Sequence, residues 1–242
     1  MRIYREKDYQ AVSKRVADII AAQLMLKPNS VLGLATGSTP VGAYQRLIEL
    51  AKAGVIDFSN VSTVNLDEYL GLPGSNDQSY AYFMREKLFS HVNIDPAKVN
   101  IPDGTAPDPK AEARRYDQLI QNLGGIDLQL LGIGRNGHIG FNEPADSFQN
   151  DTHVVDLTES TILANQRFFA HAEEVPRQAI TMGIGSIVRA KRVVMAASGK
   201  DKAEAIREAF TGPVIPQMPS SILQLHPDVI LVADEEALSL MS

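Results

Sequence analysis

The sequence predicts an α/β protein with a doubly wound, mostly parallel sheet and helices on both of its faces. Short apolar runs, of the kind that buried parallel strands require, recur along the chain, and segments with helical spacing of apolar residues separate them. Strands that alternate with helices pair in parallel through right-handed crossovers. Proline and glycine are scattered, and no repeat or low-complexity tract is present, so we expect residues 1–242 to form a single domain.

The first predicted helix and strand lead into a turn rich in small polar residues. Residues 9–26 place apolar side chains at helical spacing and predict a helix that packs on the core. Residues 30–35 predict a short buried strand, which runs into the sequence ATGSTP. We expect Pro40 to occupy the first position of the next helix, with Thr39 as its N-cap residue.

The turn ATGSTP has the chemistry of an anion site. Amide groups at a helix N-terminus, together with hydroxyl groups, bind phosphate readily. Neither nucleotide-binding fingerprint, G-x-x-x-x-G-K-[ST] or G-x-G-x-x-G, is present in this turn. The residues alone therefore leave two interpretations open: a phosphate-binding turn, and a plain turn followed by a capped helix.

A second strand, predicted for residues 61–66, is followed at once by two carboxylates, Asp67 and Glu68. Asp67 thus follows a strand end, where parallel sheets place the side chains that face ligands. The alternative is that Asp67 or Glu68 caps a turn. Residues 78–92 and 109–123 then predict two helices, the second with a charged, solvated outer face.

The stretch IDLQLLGIGRNGHIGFNEP, residues 126–144, carries the strongest functional signal. Residues 126–131 predict a buried strand, and the glycines that follow break it into a loop. This loop contains groups that accept protons, donate protons and bind hydroxyls, namely Asn136, His138, Asn142 and Glu143. Because ligands bind beyond the carboxyl ends of parallel strands, we expect the active-site loop of a small-molecule enzyme. A metal site would need further ligands, which the sequence does not group nearby.

The second half of the chain continues the alternation of strands and helices. Strands are predicted for residues 152–157, 179–184, 192–197 and 229–233, and helices for residues 158–169, 203–210 and 234–240. Arg167-Phe168-Phe169 lies in a region without clear periodicity. It is either part of a mobile cover over a pocket, at about residues 158–184, or a loop fixed by its own aromatic rings. The sequence SGKDK, residues 198–202, is a second candidate anion-binding turn.

Composition excludes several classes of function. A formal charge of −6 and a pI near 5.4 leave no broad basic face, so we expect no nucleic-acid partner. The absence of cysteine excludes a disulfide framework and a thiolate zinc site. The N-terminus MRIYREKDYQ is too polar for a signal sequence, and no apolar run reaches the ~18 residues that span a bilayer. We therefore expect a soluble, cytoplasmic protein without a membrane partner.

Five segments taken together resemble the glucosamine-6-phosphate deaminase (glucosamine-6-phosphate isomerase) family in its short form: ATGSTP, VNLDEY, GIGRNGHIGFNEP, NQRFF and SGKDKAEA. The likeness runs from about Val31 to Val232, and NGHIGFNEP with an upstream LDEY is its most specific part. The resemblance implies a Rossmann-like fold. It also implies an aldose-ketose isomerisation with deamination, in which glucosamine 6-phosphate and water become fructose 6-phosphate and ammonia. We expect no cofactor and no metal.

The resemblance also assigns roles to residues. Asp67 would be the base that moves a proton from C2 to C1 of the open-chain sugar. His138 would open the pyranose ring as acid and base, oriented by Glu143 and Asn136. Many relatives have aspartate at the position of Asn136, and an amide cannot balance an imidazolium charge. The phosphate group would be bound by Thr36, Gly37, Ser38, Thr39, Arg167 and Lys202.

The same resemblance bears on regulation and assembly. Longer relatives are allosterically activated hexamers, with a serine, an arginine and a lysine after the E-P dipeptide and with a C-terminal extension. Asp146, His153 and Val155 stand at those three positions here, and the extension is missing. We therefore expect no activation by N-acetylglucosamine 6-phosphate. Since short relatives are often monomeric or dimeric, we expect a monomer or a small homo-oligomer.

Two other functions compete with this hypothesis. A 6-phosphogluconolactonase shares the fold and the G-H loop, but we expect it to carry serine-leucine-phenylalanine-proline where this chain has FNEP, residues 141–144. A sugar-phosphate-sensing domain of a transcription regulator would bind the ligand without converting it. No helix-turn-helix segment or basic patch accompanies the domain, and the set of Asp67, His138 and Glu143 would be superfluous in a sensor.

Overall fold

The computed structural model describes residues 1–158 and 175–241. Within these residues the strands are β1 (Arg2–Glu6), β2 (Val31–Leu34), β3 (Ser62–Asn65), β4 (Asp67–Tyr69), β5 (Val99–Asn100), β6 (Leu128–Leu131), β7 (His153–Asp156), β8 (Gln178–Thr181), β9 (Val193–Ala197) and β10 (Val229–Asp234). The α-helices are α1 (Tyr9–Leu26), α2 (Val41–Lys52), α3 (Tyr80–Lys87), α4 (Pro109–Asn122), α5 (Ile184–Val188) and α6 (Ala203–Thr211).

Seven of these strands form a central sheet in the order β1-β10-β9-β6-β2-β3-β5, and every neighbouring pair in it is parallel. From β2 the chain continues outward to β3 and β5, and it then returns to β6 on the other side of β2 and continues to β9 and β10. The sheet therefore has a topological switch point between β2 and β6, where the loops after these strands diverge. The predicted α/β, mostly parallel sheet is confirmed.

Helices pack on both faces of the central sheet, as predicted. One core lies between the sheet and α1, α2 and α3, and the other lies between the sheet and α4, α5 and α6. Side chains alternate along each strand, so Leu32 and Leu34 point into the first core and Val31 into the second. Because each fully buried aliphatic side chain contributes about 1.5–3 kcal/mol, these two cores hold the strand ends in fixed positions.

A second, three-stranded antiparallel sheet, in the order β4-β8-β7, lies beyond the central one. Asp67 opens β4 and is paired with Thr181 of β8. The Leu66 carbonyl, between β3 and β4, accepts the N–H of Met182 at 2.6 Å. The sequence did not predict β4, because a three-residue strand with two adjacent carboxylates has the composition of a loop.

The start of α2 differs from the prediction. Pro40 is the N-cap residue and the helix begins at Val41, so the expectations that Pro40 is the first helical residue and that Thr39 is the cap were wrong. Other groups bind the first amides of the helix. The Val41 N–H donates to the Ser38 carbonyl at 3.4 Å, and the Gly42 N–H donates to the Tyr9 hydroxyl at 2.9 Å.

Further boundaries also differ. The helix predicted for residues 78–92 ends at Lys87, because Leu88 leaves helical backbone angles and the 3-10 turn Phe89–His91 follows. The strand predicted for residues 179–184 ends at Thr181, and Ile184 begins α5. Residues 235–240 form turns rather than the predicted helix, since the Asp234 carboxylate accepts the Ala237 N–H at 2.8 Å. Most of the helix predicted for residues 158–169 lies outside the described residues.

Candidate acid-base site

Four loops that carry predicted site residues lie along one edge of the central sheet. The strands β9, β6, β2 and β3 are parallel neighbours in that order, so their carboxyl ends share the edge. Residues 198–202 follow β9, residues 132–143 follow β6, residues 35–40 follow β2, and Asp67 comes two residues after β3. The switch point lies between the two middle loops, which is where open α/β sheets bind ligands.

The imidazole ring of His138 lies against the backbone of Gly134. A Cβ atom at Gly134 would lie 2.3–2.5 Å from atoms of the ring, so any side chain at this position would displace it. Backbone hydrogen bonds close the turn beneath the ring. The Gly134 N–H donates to the His138 carbonyl at 2.9 Å, and the Gly137 N–H donates to the Gly134 carbonyl at 3.0 Å. The first glycine of the G-x-x-G-H sequence is therefore required because only a residue without a side chain leaves room for the histidine ring.

Polar contacts run from His138 through Glu143 to Asn136. Nδ1 of His138 lies 3.4 Å from Oε1 of Glu143, which fits an ion pair with a protonated ring but is longer than a well-formed hydrogen bond. Asn136 Nδ2 donates to Glu143 Oε2 at 2.6 Å, and Asn136 Oδ1 accepts the His138 N–H at 3.2 Å. Asn136 therefore orients Glu143 and the loop backbone. The Glu143 carboxylate beside Nδ1 leaves Nε2 of His138 as the nitrogen for proton exchange.

The side chain of Asp67 is buried against the same loop. Asp67 is only 6% exposed, and a Cβ atom at Gly140 would lie 3.4 Å from its Oδ2 atom. Burial, together with the neighbouring charge of Glu68, raises the pKa of Asp67 to about 8. Within the part of the chain that the structure describes, no donor forms a hydrogen bond with this carboxylate. A buried carboxylate with a strongly raised pKa next to an imidazole-bearing loop is typical of an acid-base site.

The adjacent carboxylate, Glu68, has a structural role. Oε1 of Glu68 accepts the N–H groups of Tyr69 and Tyr80 at 2.8 and 2.9 Å, and Oε2 accepts the N–H of Ala81 at 2.8 Å. Two of these donors are the first amides of α3. Burial raises the pKa of Glu68, and the three N–H groups oppose that shift. The capping interpretation therefore applies to Glu68 and not to Asp67.

The turn after β2 offers backbone amides to an anion. Gly37 and Ser38 are exposed, and Gly37 has a φ of 91°. Within residues 1–158 and 175–241, the N–H groups of Gly37, Ser38 and Thr39 have no acceptor, whereas the first two amides of α2 are already bound. An anion at this edge would therefore be bound by the amides of the turn rather than by those of the helix.

Lys202 is connected to the loop after β6 through two other charged residues. Asp201 Oδ2 lies 2.9 Å from Arg135 Nε and 3.8 Å from Lys202 Nζ. Burial lowers the pKa of Lys202, and Asp201 opposes that shift. The turn itself is fixed by Asp234, which accepts the Ser198 hydroxyl and, at 3.0 Å, the Gly199 N–H. Lys202 thus belongs to the turn after β9, at the same edge of the sheet as the other loops, and Arg167 lies outside the described residues.

Two side chains that the sequence did not single out connect the parts of the site. The Tyr80 hydroxyl donates to the Tyr69 hydroxyl at 3.2 Å and lies near the Thr36 side chain, and its ring stacks on Phe141 with the ring centroids 6.0 Å apart. Thr181 Oγ1 accepts the Phe141 N–H at 3.0 Å. Tyr80 lies in a helix rich in aromatic residues that pack in the core, and Thr181 lies in an apolar strand outside any recognised motif. The sequence therefore did not identify either residue as part of the site.

Within residues 1–158 and 175–241, no group of three or more histidine, cysteine, aspartate or glutamate side chains is placed to hold a metal ion. No helix in these residues is both long enough and apolar enough to cross a membrane.

The fold and the site together define a class of protein. It is an α/β protein whose parallel sheet carries one buried carboxylate and one imidazole near its switch point, beside a turn with free amides. The chain belongs to the family described as glucosamine-6-phosphate isomerases and 6-phosphogluconolactonases, whose model matches residues 5–231.

Curated relatives match the chain over nearly its whole length. It is 58% identical over 232 residues to a glucosamine-6-phosphate deaminase of Lachnoclostridium phytofermentans, an alignment that covers 96% of this chain and 98% of the relative. It is 56% identical over 241 residues to a glucosamine-6-phosphate deaminase of Thermoanaerobacter pseudethanolicus, with 100% of this chain and 95% of the relative covered.

Solved structures agree with this family assignment. A monomeric glucosamine-6-phosphate deaminase superposes with a TM-score of 0.96 at 48% identity and covers 99% of this chain and 100% of that one. A 6-phosphogluconolactonase from Thermotoga maritima superposes with a TM-score of 0.76 at 19% identity, covering 96% of this chain and 99% of that one. The second similarity concerns the fold alone.

Proposed function

We propose that this chain is a glucosamine-6-phosphate deaminase of amino-sugar metabolism, which converts glucosamine 6-phosphate and water to fructose 6-phosphate and ammonia. Relatives at 52–58% identity carry that name. The observation that carries the proposal is the position of Asp67, whose buried carboxylate lies against Gly140 of the loop that holds His138 and Glu143. One carboxylate and one imidazole are the two proton-transfer groups that this reaction needs.

His138 opens the pyranose ring in this proposal. Ring opening moves the proton of the C1 hydroxyl group away and delivers a proton to the ring oxygen, and a single imidazole nitrogen can do both in turn. Glu143 lies beside Nδ1 and fixes the orientation of the ring. Asn136 holds Glu143 from its other oxygen. The product of this step is the open-chain aldehyde with the amino group on C2.

Asp67 then transfers a proton between adjacent carbons. Its carboxylate removes the proton from C2, and the electron pair forms the C1–C2 double bond while the π pair of the C1 carbonyl moves to O1. O1 takes up the proton that the C2 ammonium group gives up, and the product is an enolamine. Return of the proton to C1 leaves an iminium group at C2, which water hydrolyses to the ketone and ammonia. A positioned base contributes about 10²–10⁴-fold to such a step. Since these steps are proton transfers and a hydrolysis, they require no redox cofactor, and the proposal includes neither cofactor nor metal.

The phosphate group is bound at the neighbouring turn in this proposal. The N–H groups of Gly37, Ser38 and Thr39 and the Thr36 hydroxyl supply hydrogen bonds, and Lys202 and Arg167 supply positive charge. Charge-assisted hydrogen bonds of this kind are each worth about 1.5–3 kcal/mol. Thr36 lies near the Tyr80 hydroxyl, and the Tyr80 ring stacks on Phe141 of the loop that carries His138 and Glu143, so the turn and the proton-transfer groups are close neighbours.

Several coarser features belong to the same proposal. The chain acts as one domain, as a monomer or small homo-oligomer in the cytoplasm, with no nucleic-acid or membrane partner. The cover expected at about residues 158–184 falls mostly outside the described residues, and its C-terminal part is instead β8 and the start of α5. The solved relative at 48% identity is a monomer, which supports the small assembly. Asp146, His153 and Val155 lack the chemistry of the activator-binding positions of longer relatives, so no activation by N-acetylglucosamine 6-phosphate is included.

The nearest alternative is a 6-phosphogluconolactonase, because the matching family contains both activities. Two solved lactonases, from Leishmania guyanensis and Trypanosoma cruzi, are only 22% and 18% identical to this chain, far below the 58% of a deaminase relative. Hydrolysis of a lactone also gives no role to a buried carboxylate that transfers a carbon-bound proton. The residues FNEP at 141–144 differ from the stretch that we expect of a lactonase.

The decisive test offers both substrates to the purified protein without any added cofactor. We expect ammonia release from glucosamine 6-phosphate and no acid release from 6-phosphogluconolactone. Glucosamine without its phosphate group is the matched control substrate, and we expect much slower release from it. Acid release without ammonia would assign the chain to the lactonases, and binding without turnover of either compound would favour a sensing domain.

A further inference from the structure

The turn at residues 36–39 is held by a tyrosine of the first helix. Tyr9, the first residue of α1, donates its hydroxyl hydrogen to the Ser38 carbonyl at 3.0 Å. The same hydroxyl oxygen accepts the N–H of Gly42 at 2.9 Å. One phenol group therefore joins the middle of the turn to the first turn of α2, across 29 and 33 residues of sequence.

These two contacts determine which backbone groups of the turn are available to an anion. A carbonyl oxygen that points into an anion site repels the anion, whereas amide hydrogens attract it. The Ser38 carbonyl is engaged by the Tyr9 hydroxyl and by the Val41 N–H at 3.4 Å. The N–H groups of residues 37–39 have no acceptor among the described residues, so they remain available.

We infer that Tyr9 is a positioning residue of the phosphate-binding turn. Its hydroxyl group fixes the Ser38 peptide and the start of α2, so that the amides of residues 37–39 converge on the phosphate group of a phosphorylated sugar. The inference rests on the proposed function in one respect, the assignment of this turn to phosphate. Tyr9 acts through the turn and does not belong to the proton-transfer groups.

Tyr9→Phe tests this role, because the variant loses the hydroxyl group and keeps the ring. We expect the Kd for inorganic phosphate, measured by titration calorimetry, to rise about five- to tenfold, and the KM for glucosamine 6-phosphate to rise by a similar factor. A tenfold change corresponds to about 1.4 kcal/mol, the size of an ordinary hydrogen bond. We expect kcat to stay within about twofold, because Asp67 and His138 lie on other loops.

Tyr4→Phe is the matched control, since it removes a tyrosine hydroxyl far from the turn. The Tyr4 ring lies on β1, beneath the guanidinium group of Arg15 at 4.9 Å. We expect this variant to bind inorganic phosphate like the wild type. The melting temperature of both variants is measured alongside, so that a loss of stability is recognised as such.

The possible outcomes separate this inference from the proposed function. Wild-type protein that binds no inorganic phosphate would refute the phosphate assignment of the turn and, with it, the role of Tyr9. Phosphate binding without ammonia release would refute the deaminase proposal and leave the Tyr9 test valid. An unchanged Kd in Tyr9→Phe, or equal losses in kcat and KM with a lower melting temperature, would overturn the inference alone.

Discussion

Two buried aspartates occupy opposite edges of the central sheet, and their pKa values move in opposite directions. Asp127 precedes β6 at the amino edge and is 3% exposed, while Asp67 lies at the carboxyl edge and is 6% exposed. Burial raises the pKa of Asp127, but hydrogen bonds from Lys191, Lys27 and the Val31 N–H outweigh it, so the net shift is downward. Burial and Glu68 raise the pKa of Asp67 to about 8.

The two aspartates differ in the number of hydrogen-bond donors that stabilise the charged form of the carboxylate against the cost of burial. Asp127 has two ammonium groups within 2.7–2.8 Å and one backbone N–H at 2.8 Å. Asp67 has no hydrogen-bond donor among the described residues. Burial alone therefore does not distinguish a structural carboxylate from a reactive one. The amino edge of the sheet is stabilised by its ion pairs, and the carboxyl edge carries a carboxyl group whose raised pKa suits proton transfer.

The largest expected effect is on catalysis. Asp67→Asn keeps the shape of the side chain and removes the base, so we expect kcat for ammonia release to fall about 10²–10⁴-fold. We expect binding of inorganic phosphate to change little, since the phosphate turn follows a different strand.

Asp77→Asn, in the exposed loop after β4, makes the same chemical change and serves as the control. Ammonia release from Asp67→Asn at the wild-type rate would remove Asp67 from the mechanism and end the contrast with Asp127.

The second effect is on stability. Asp127→Asn removes both ion pairs, and we expect it to lower the free energy of unfolding by about 2–3 kcal/mol. This loss of stability is smaller than the loss expected for a fully buried ion pair. The side chains of Lys27 and Lys191 are 40% and 64% exposed, so water solvates their ammonium groups once Asp127 is gone. Urea denaturation measures the change.

Lys191→Gln removes only the more exposed partner and should cost less than Asp127→Asn. We expect kcat/KM to be unaffected in both variants. A large loss of activity in Asp127→Asn at full stability would mean that the two edges are not independent.

The smallest effect, and the sharpest one for the comparison, is the pH dependence of stability. Because the pKa of Asp67 is raised on folding, the native state binds an extra proton between about pH 4 and pH 8 and loses stability as the pH rises through that window. We expect Asp67→Asn to become the more stable protein toward pH 8, by about 1–3 kcal/mol. The pKa of Asp127 is lowered, so its contribution is full above about pH 4 and is lost as the pH falls below it.

Urea denaturation of the wild type, Asp67→Asn and Asp127→Asn from about pH 3 to pH 8 measures how the stability difference of each variant from the wild type changes with pH. Parallel trends for the two variants would contradict the opposite pKa shifts on which the comparison depends.

The sequence predicted most of the features that follow from local pattern. Hydrophobic periodicity located the long helices and the buried strands, and the loop after β6 was recognised because glycines, an imidazole and a carboxylate fall close together. The edge strand β1 was missed, because its residues RIYRE are mostly exposed and do not resemble a buried strand. The two-residue strand β5 is too short to give any pattern.

Contacts between residues far apart in sequence could not be predicted. Lys27 and Asp127 are 100 residues apart, and Arg135 and Asp201 are 66 apart, so only the sheet order brings them together. For the same reason Tyr9 was assigned only to a packing helix, although its hydroxyl group contacts Ser38. Thr39 was a reasonable cap by residue type, but Tyr9 and Ser38 already bind the amides that it would have served.

The contact between Gly134 and His138 has a consequence for redesign of this enzyme. Since the imidazole ring occupies the space of any side chain at residue 134, directed evolution toward other sugars has no freedom at that codon. The next residue is the opposite case, because the side chain of Arg135 is 78% exposed and points to solvent and to Asp201. A library that varies Arg135 and keeps Gly134 fixed therefore changes an exposed position of this loop while preserving the contact that holds the His138 ring.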